Sequence, residues 1–218
     1  MSSIQPIVFP TSRSHLDFVT SFGQMKTFKR GDPLPLIEGS LWQIEAGILR
    51  TLILGSEGET FTLGLWGKGD VVGLEQNLVK GLKAECLSPY VEARILPAEQ
   101  LRCFCQQEQG WIQSVTLQHI RRCQEWIYIL QHSKIYLRLL DLLAWIAERF
   151  GILEGNSYRL EVSLTHQHLS EMIGTTRVTV TRFFQIYEKD KLIHRLKNRS
   201  LLVYVDKIKE LKYKSHFR

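Results

Sequence analysis

The chain has 218 residues, 44% of them hydrophobic and 23% charged, a composition typical of globular proteins rather than of disordered or fibrous ones. No segment reaches about 18 uninterrupted apolar residues. The first residues lack the basic region and apolar stretch of a signal peptide. We therefore expect a cytoplasmic protein without a membrane span. Its cysteines show no paired CxxC spacing, so neither a metal site nor a disulfide framework is predicted. They are Cys86, Cys103, Cys105 and Cys123.

The positive charge lies in one part of the chain. Residues 161–218 carry twelve Lys and Arg against six Asp and Glu, whereas residues 1–160 carry sixteen of each, so the net charge of +6 belongs to the last quarter. Binding to nucleic-acid phosphates requires such a local excess of cations.

Glycines separate short apolar runs between about residues 20 and 100. Turn signals at this regularity predict an antiparallel β sandwich or barrel. We expect residues 1–109 to form this β domain and to act as a sensor, and a generic jelly roll is the alternative. The glycines are Gly31, Gly39, Gly47, Gly55, Gly58, Gly64, Gly67, Gly69 and Gly73.

Residues 110–134 predict a long helix with a coiled-coil seam and then a hinge near residues 132–134. Apolar residues recur there at spacings of three, four and three. They are Ile120, Cys123, Ile127 and Leu130. The seam predicts a homodimer, although the same stripe could pack on the β domain. Aromatic residues of the helix are expected to make that second contact: Trp111, Trp126 and Tyr128.

Residues 135–218 are predicted to form a separate domain that begins with an apolar helix ended by Gly151. A helix-turn-helix follows. Thr165 can cap a first helix whose buried face is Leu169 and Ile173. Gly174 allows the turn, and Thr175 or Thr176 can cap the second helix.

The second helix has one apolar and one polar face. The apolar face consists of Val180, Phe184 and Tyr187. Arginine on the polar face suits guanine, a valine methyl suits the thymine methyl, and threonine hydroxyls suit phosphates. The candidate DNA contacts are Thr165, His166, Thr175, Thr176, Arg177, Val178, Thr179, Thr181 and Arg182. His166 and His168 stand two residues apart, which points them to different faces and disfavours zinc.

Two further strands are predicted at residues 192–196 and 200–205. Between them, Lys197 and Arg199 give the hairpin a basic tip, as in a wing that contacts the DNA backbone. An ordinary charged hairpin turn is the alternative. The tail from Lys207 to Lys214 is expected to form a short basic helix.

The segment Gly174 to Arg182 resembles the recognition segment of the cyclic-AMP receptor protein and fumarate-nitrate-reductase regulator (CRP/FNR) superfamily. Within it, Arg177 to Arg182 is most similar to the cyanobacterial global nitrogen regulator branch, because Val178 stands where the cyclic-AMP receptor has glutamate. The glycine-punctuated β-roll is similar too, so the resemblance spans residues 22–206. It departs at Lys191, where the family usually has glycine.

This resemblance implies an α+β protein with a β-roll, a dimerisation helix and a C-terminal winged helix-turn-helix. The resemblance also implies two partners, RNA polymerase and double-stranded DNA. The protein would bind the DNA as a homodimer, at a palindrome of GTA-like half-sites. The Arg-Ser pair of nucleotide-binding members is missing around Lys83, so cyclic nucleotide is not expected. An iron-sulfur cluster is disfavoured because no cysteine precedes Cys86, and haem is not expected either.

The nitrogen-regulator branch binds 2-oxoglutarate, which makes this ligand possible here. His119 stands where that branch has an arginine, and Arg121 and Arg122 are rotated away from that face. No enzyme motif is found. The alternative function is a ligand-binding or protein-interaction module that depends on an unidentified effector or partner.

Overall fold

The computed structural model describes residues 23–74, 79–107, 109–162, 164–196 and 200–216, and it confirms an α+β fold. The described strands are β1 Gln24–Lys29, β2 Pro33–Leu34, β3 Leu41–Ala46, β4 Ile48–Leu54, β5 Thr60–Gly67, β6 Val71–Val72, β7 Lys83–Cys86, β8 Tyr90–Leu96, β9 Ile152–Glu154, β10 Ser157–Leu160, β11 Ile193–Arg195 and β12 Leu201–Val203. The helices are α1 Ala98–Gln107, α2 Gln109–Leu130, α3 Ile135–Phe150, α4 His166–Ile173, α5 Arg177–Lys189 and α6 Val205–His216. Within these ranges no helix is both long and apolar enough to cross a membrane.

The N-terminal strands form the predicted antiparallel β-roll. One sheet has the order β1-β8-β3-β6 and the other β2-β7-β4-β5. Trp42 and Ile44 from the first sheet and Leu49 and Trp66 from the second share one buried cluster, which fills the space between the sheets. Gly47 shows why turns here need glycine, because it has φ +86° and an added Cβ would lie 2.3 Å from the carbonyl oxygen of Tyr90.

The long helix α2 packs on the β-roll through two of its three predicted aromatic residues. Trp111 and Trp126 are buried, and the Trp126 indole donates to the carbonyl oxygen of Thr62 in β5 at 3.2 Å. The prediction for Tyr128 is wrong, because 63% of this residue is exposed. It lies two positions along the helix from Trp126 and therefore points to another face.

The predicted dimer seam of α2 lies at the surface in this single chain. Ile120 and Ile127 are 48% and 54% exposed, and Cys123 is half-buried. Leu130, in contrast, packs partly against the core of the C-terminal domain. The helix ends there, and residues 131–134 separate it from α3.

The C-terminal domain surrounds α3, whose apolar side chains form its core. Its sheet has the order β11-β12-β10-β9, in which β11 and β12 are the expected hairpin. The pair β9 and β10 was not predicted from the sequence, although Gly155, at φ +60° between them, is a turn signal. The tail is helical, as α6.

Polar contacts join the β-roll to the C-terminal domain. Arg50 of β4 is buried, and its Nη1 lies 2.6 Å from a carboxylate oxygen of Glu171 in α4. Arg149 near the end of α3 donates to the buried carboxylate of Asp70. Both pairs have little exposure to water; the first joins α4 to the β-roll, and the second joins α3 to it.

Candidate nucleic-acid interface

Hydroxyl caps define the starts of α4 and α5. The Thr165 hydroxyl accepts from the backbone N–H of His168 at 3.0 Å, and the Thr176 hydroxyl accepts from that of Thr179 at 3.2 Å. The second cap is therefore Thr176, and Thr175 instead lies in the turn, where its N–H donates to the carbonyl oxygen of Ser170 at 3.0 Å. Each cap satisfies a backbone donor that the helix leaves open.

Gly174 makes the turn between the two helices. Its φ of 66° and ψ of 53° are left-handed, and its N–H donates to Ser170. An added Cβ would meet no atom within 4 Å. The backbone conformation, rather than lack of space, is therefore the reason for glycine here.

The apolar face of α5 is buried as expected. Val180 and Tyr187 have no exposed surface, and Phe184 is 4% exposed. The Tyr187 hydroxyl donates to the carbonyl oxygen of Tyr136 in α3 at 2.6 Å, and burial raises the pKa of this phenol far above its usual range. This contact fixes the rotation of α5 about its axis.

The opposite face of α5 is open to solvent. Arg177, Val178 and Arg182 are exposed, and Val178 is 78% exposed although it is apolar. The Arg182 guanidinium lies 5.2 Å from the Phe183 ring. Neither arginine forms an ion pair with the residues that the structure describes. Unpaired guanidinium groups beside an exposed methyl surface are suited to the base edges and phosphates of a major groove.

His166 and Thr181 face each other beneath this surface. The His166 Nδ1 lies 2.7 Å from the Thr181 hydroxyl, its Nε2 lies 3.3 Å from Arg195, and its ring packs on Phe184. Burial, Arg195 and Arg177 together lower the pKa of His166 below its usual 6.5, which keeps the ring neutral at pH 7. The two residues tie α4 to α5, and Thr179 beside them is half-buried.

Arg195 was missed from the sequence. It lies in β11 opposite Leu201, its Nε is 3.1 Å from a Glu188 oxygen, and its guanidinium stacks 5.1 Å from the Phe184 ring. Alternation along the strand gave no signal for it, because both His194 and Arg195 are exposed while Ile193 is buried. The wing tip with Lys197 and Arg199 lies outside the described residues.

The residues considered for an effector contact other residues of the chain. The His119 ring stacks on Trp66 with centroids 4.5 Å apart. Arg121 pairs with Glu125, and Arg122 pairs with Asp70 and Glu125. In the ranges with described side chains, no group of three His, Cys, Asp or Glu residues could hold a metal ion.

Comparisons with known proteins agree with this geometry. The family described as the Crp-like helix-turn-helix domain matches residues 137–212. The regulatory protein CysR of Synechococcus elongatus is 31% identical over 166 residues, which cover 75% of each chain. The global nitrogen regulator of Synechocystis is 28% identical over 175 residues, again 75% of each chain.

Solved structures show the same fold. FixK2 of Bradyrhizobium japonicum superposes with a TM-score of 0.72 at 16% identity, covering 87% of this chain and 97% of that one. A CRP-family transcriptional regulator of Thermus thermophilus superposes with a TM-score of 0.71 at 19% identity, covering 85% and 95%. The chain therefore belongs to the CRP/FNR family of transcription regulators with a helix-turn-helix DNA-binding domain.

Proposed function

We propose that this regulator binds a palindromic promoter site as a homodimer and reads bases with Arg177, Val178 and Arg182. The observation that carries the proposal is the exposure of these three side chains on a helix held by a cap, a glycine turn and a buried face. Arginine pairs with guanine, and the Val178 methyls contact thymine. The resemblance of the recognition segment to the CRP/FNR family implies that each half-site contains a GTA-like sequence.

A homodimer is supported by the seam on α2. Two helices that bury Ile120 and Ile127 against each other would cover apolar surface that the single chain leaves exposed. The two-fold axis then presents two recognition helices about 34 Å apart, one turn of DNA.

DNA binding is proposed to need neither cyclic nucleotide nor 2-oxoglutarate. The missing Arg-Ser pair supports the first statement, because a buried phosphate needs a bidentate cation or hydroxyl partner. The statement about 2-oxoglutarate is supported by the pairing of Arg121 and Arg122 with carboxylates of the protein, because these side chains are then not free to bind the carboxylates of a ligand. An iron-sulfur cluster and haem are likewise no part of the proposal.

The protein is proposed to act in the cytoplasm through binding rather than catalysis, with RNA polymerase as its partner on the promoter. Regulation of transcription by its relatives supports this location and partner. A protein-interaction module that used the same surface of α5 would bind its partner without the steep salt dependence of DNA binding.

The test is selection of duplexes from a random pool by the purified protein, without added ligand and at near-physiological salt. Enrichment of a palindrome with GTA-like half-sites is expected. Arg182→Ala should cost about 1–3 kcal/mol on that site and relax one base pair per half-site. Lys29→Ala removes an exposed charge of the β-roll and is the matched control. A pool without enrichment, or an unchanged Arg182→Ala profile, would contradict the proposal.

A further inference from the structure

Four residues form a chain of polar contacts from strand β11 to the first turn of α5. Arg195 Nη2 lies 3.3 Å from His166 Nε2. His166 Nδ1 lies 2.7 Å from the Thr181 hydroxyl oxygen. The Thr181 hydroxyl donates to the backbone carbonyl oxygen of Arg177 at 2.9 Å. The chain of contacts therefore passes from β11 through α4 to α5.

The chemistry of these groups fixes the position of each hydrogen in the chain. A guanidinium group only donates, so His166 Nε2 accepts from Arg195. A neutral imidazole carries one N–H, which then lies on Nδ1 and is donated to the Thr181 hydroxyl oxygen. The Thr181 hydroxyl gives its own hydrogen to the Arg177 carbonyl oxygen. Each contact is then a pair of one donor and one acceptor.

The surroundings of His166 favour the neutral ring. Burial, Arg195 and Arg177 lower its pKa below the usual 6.5. The half-buried ring packs on Phe184 with the ring centroids 4.6 Å apart. A second proton would place a hydrogen on Nε2 opposite the donor of Arg195, so the protonated ring does not fit this contact.

Arg195 is held on α5 by two further contacts. Its Nε lies 3.1 Å from a carboxylate oxygen of Glu188, and its guanidinium lies 5.1 Å from the Phe184 ring. Both partners belong to α5. Strand β11 is therefore attached to the middle and the end of α5 directly, and to its first turn through His166 and Thr181.

We propose that His166 positions the base-reading end of α5 and does not itself contact DNA. Both ring nitrogens are used within the protein, which leaves His166 no N–H for a phosphate. Through Thr181 it holds the first turn of α5, which carries Arg177 and Val178. The inference rests on the proposed function, because it names a residue on which the base preference of the same interface depends.

Two kinds of duplex distinguish a positioning residue from a DNA contact. A phosphate contact is independent of sequence, so its loss weakens binding to the selected palindrome and to random duplexes alike. Loss of a positioning residue weakens binding to the palindrome alone, because base contacts carry the sequence preference.

His166→Leu removes both ring nitrogens but keeps an apolar side chain beside Phe184. It should lower the affinity for the palindrome about fivefold for each half-site, as expected for one lost hydrogen bond, and leave the affinity for random duplexes unchanged. His194→Leu is the matched control, because His194 is an exposed histidine of β11 outside the chain of contacts. It should change neither affinity.

Thr181 provides a second pair of variants. Thr181→Val keeps the shape of the side chain but removes the hydroxyl, and it should show the same selective loss on the palindrome. Thr181→Ser keeps the hydroxyl and should restore an affinity close to that of the wild-type protein. Nitrogen NMR of the protein without DNA measures the hydrogen position directly, and His166 should be neutral at pH 7 with its hydrogen on Nδ1.

Equal losses of His166→Leu on both kinds of duplex, or no loss on either, would overturn the inference. A hydrogen on Nε2 in the protein without DNA would overturn it as well, because Arg195 would then face a donor. A wild-type protein that does not prefer the palindrome over random duplexes would instead contradict the proposed function. If His166→Leu does not fold, the comparison of Thr181→Val with Thr181→Ser decides.

Discussion

At the scale of single residues, the proposed base preference depends most directly on Val178. It exposes 78% of its surface near the N-terminal end of α5, between two arginines that form no ion pair with the described residues. An exposed apolar side chain adds nothing to the stability of the domain. A methyl surface in a major groove, in contrast, distinguishes thymine from the other bases.

We expect Val178→Glu to change the preferred base at one position of each half-site from thymine to cytosine, because a carboxylate accepts a hydrogen bond from the cytosine amine. The substitution removes no methyl group that packs in the core of the domain, since Val178 is exposed. Selection of duplexes by the two proteins measures the change. The unfolding free energy should stay within about 0.5 kcal/mol, as for other exposed positions. Retention of the wild-type base at that position would show that residue 178 does not contact bases.

His166 gives a prediction about pH. Its pKa lies below 6.5 in the folded protein because of burial, Arg195 and Arg177. The unfolded chain therefore binds the proton more readily, so this contribution to stability is complete above about pH 6.5 and is lost as the pH falls through the folded pKa. His168, whose pKa is lowered by burial and Arg50, acts in the same direction.

An NMR titration of the histidine ring protons measures this shift directly. Arg195→Gln should move the pKa of His166 upward, toward 6.5, because it removes the nearer of the two cations. His166→Gln should make the unfolding free energy less sensitive to pH between about 7 and 5. A His166 pKa above 6.5 in the wild-type protein would mean that the ring carries its proton in the interface.

At the scale of secondary-structure elements, the end of α5 carries a strained residue. Lys191 has φ +57° and is the one non-glycine residue at positive φ among those described. Its N–H donates to the carbonyl oxygen of Glu188 at 3.1 Å, so the left-handed conformation closes the helix. At this position the CRP/FNR family usually has glycine, and this chain has lysine instead.

Lys191→Gly should therefore stabilise the protein by up to about 1 kcal/mol, since glycine adopts the left-handed conformation without steric cost. Urea unfolding is the measurement. Lys189→Gly, two residues earlier and inside the helix, is the control and should destabilise by a similar amount. Destabilisation by Lys191→Gly would instead assign the lysine a stabilising contact that outweighs the strain.

The elements of the interface were predictable from the sequence because each depends on near neighbours. Caps, a glycine turn and a three- to four-residue apolar spacing define α4 and α5 within a segment of fewer than thirty residues. The β9–β10 hairpin was missed because its apolar residues Ile152 and Leu153 are exposed and give no alternating pattern. The Arg50–Glu171 contact could not be predicted, since 121 positions separate the two partners.

At the scale of the whole molecule, the α2 seam predicts the oligomeric state. Ile127→Glu should convert the dimer to a monomer, because it places like charges opposite each other at a position now 54% exposed in the single chain. Analytical ultracentrifugation measures the mass. Affinity for the full palindrome should fall while that for one half-site stays unchanged.

Tyr128→Glu is the matched control for this variant. Tyr128 neighbours Ile127 on the same helix and is 63% exposed, but it lies outside the predicted seam. The Tyr128→Glu variant introduces the same charge as Ile127→Glu and should leave the dimer intact. If Ile127→Glu forms dimers as stable as those of the wild-type protein, the dimer interface lies on another surface.

The Arg50–Glu171 contact also restricts which DNA sites the proposed dimer can use. Because α4 is fixed to strand β4 of its own β-roll, the two recognition helices cannot adjust independently to a longer or shorter spacer. One inserted base pair moves a half-site by about 3.4 Å and rotates it by about 35° around the DNA axis. Promoters with the same two half-sites but a different number of base pairs between them should therefore escape regulation by this protein.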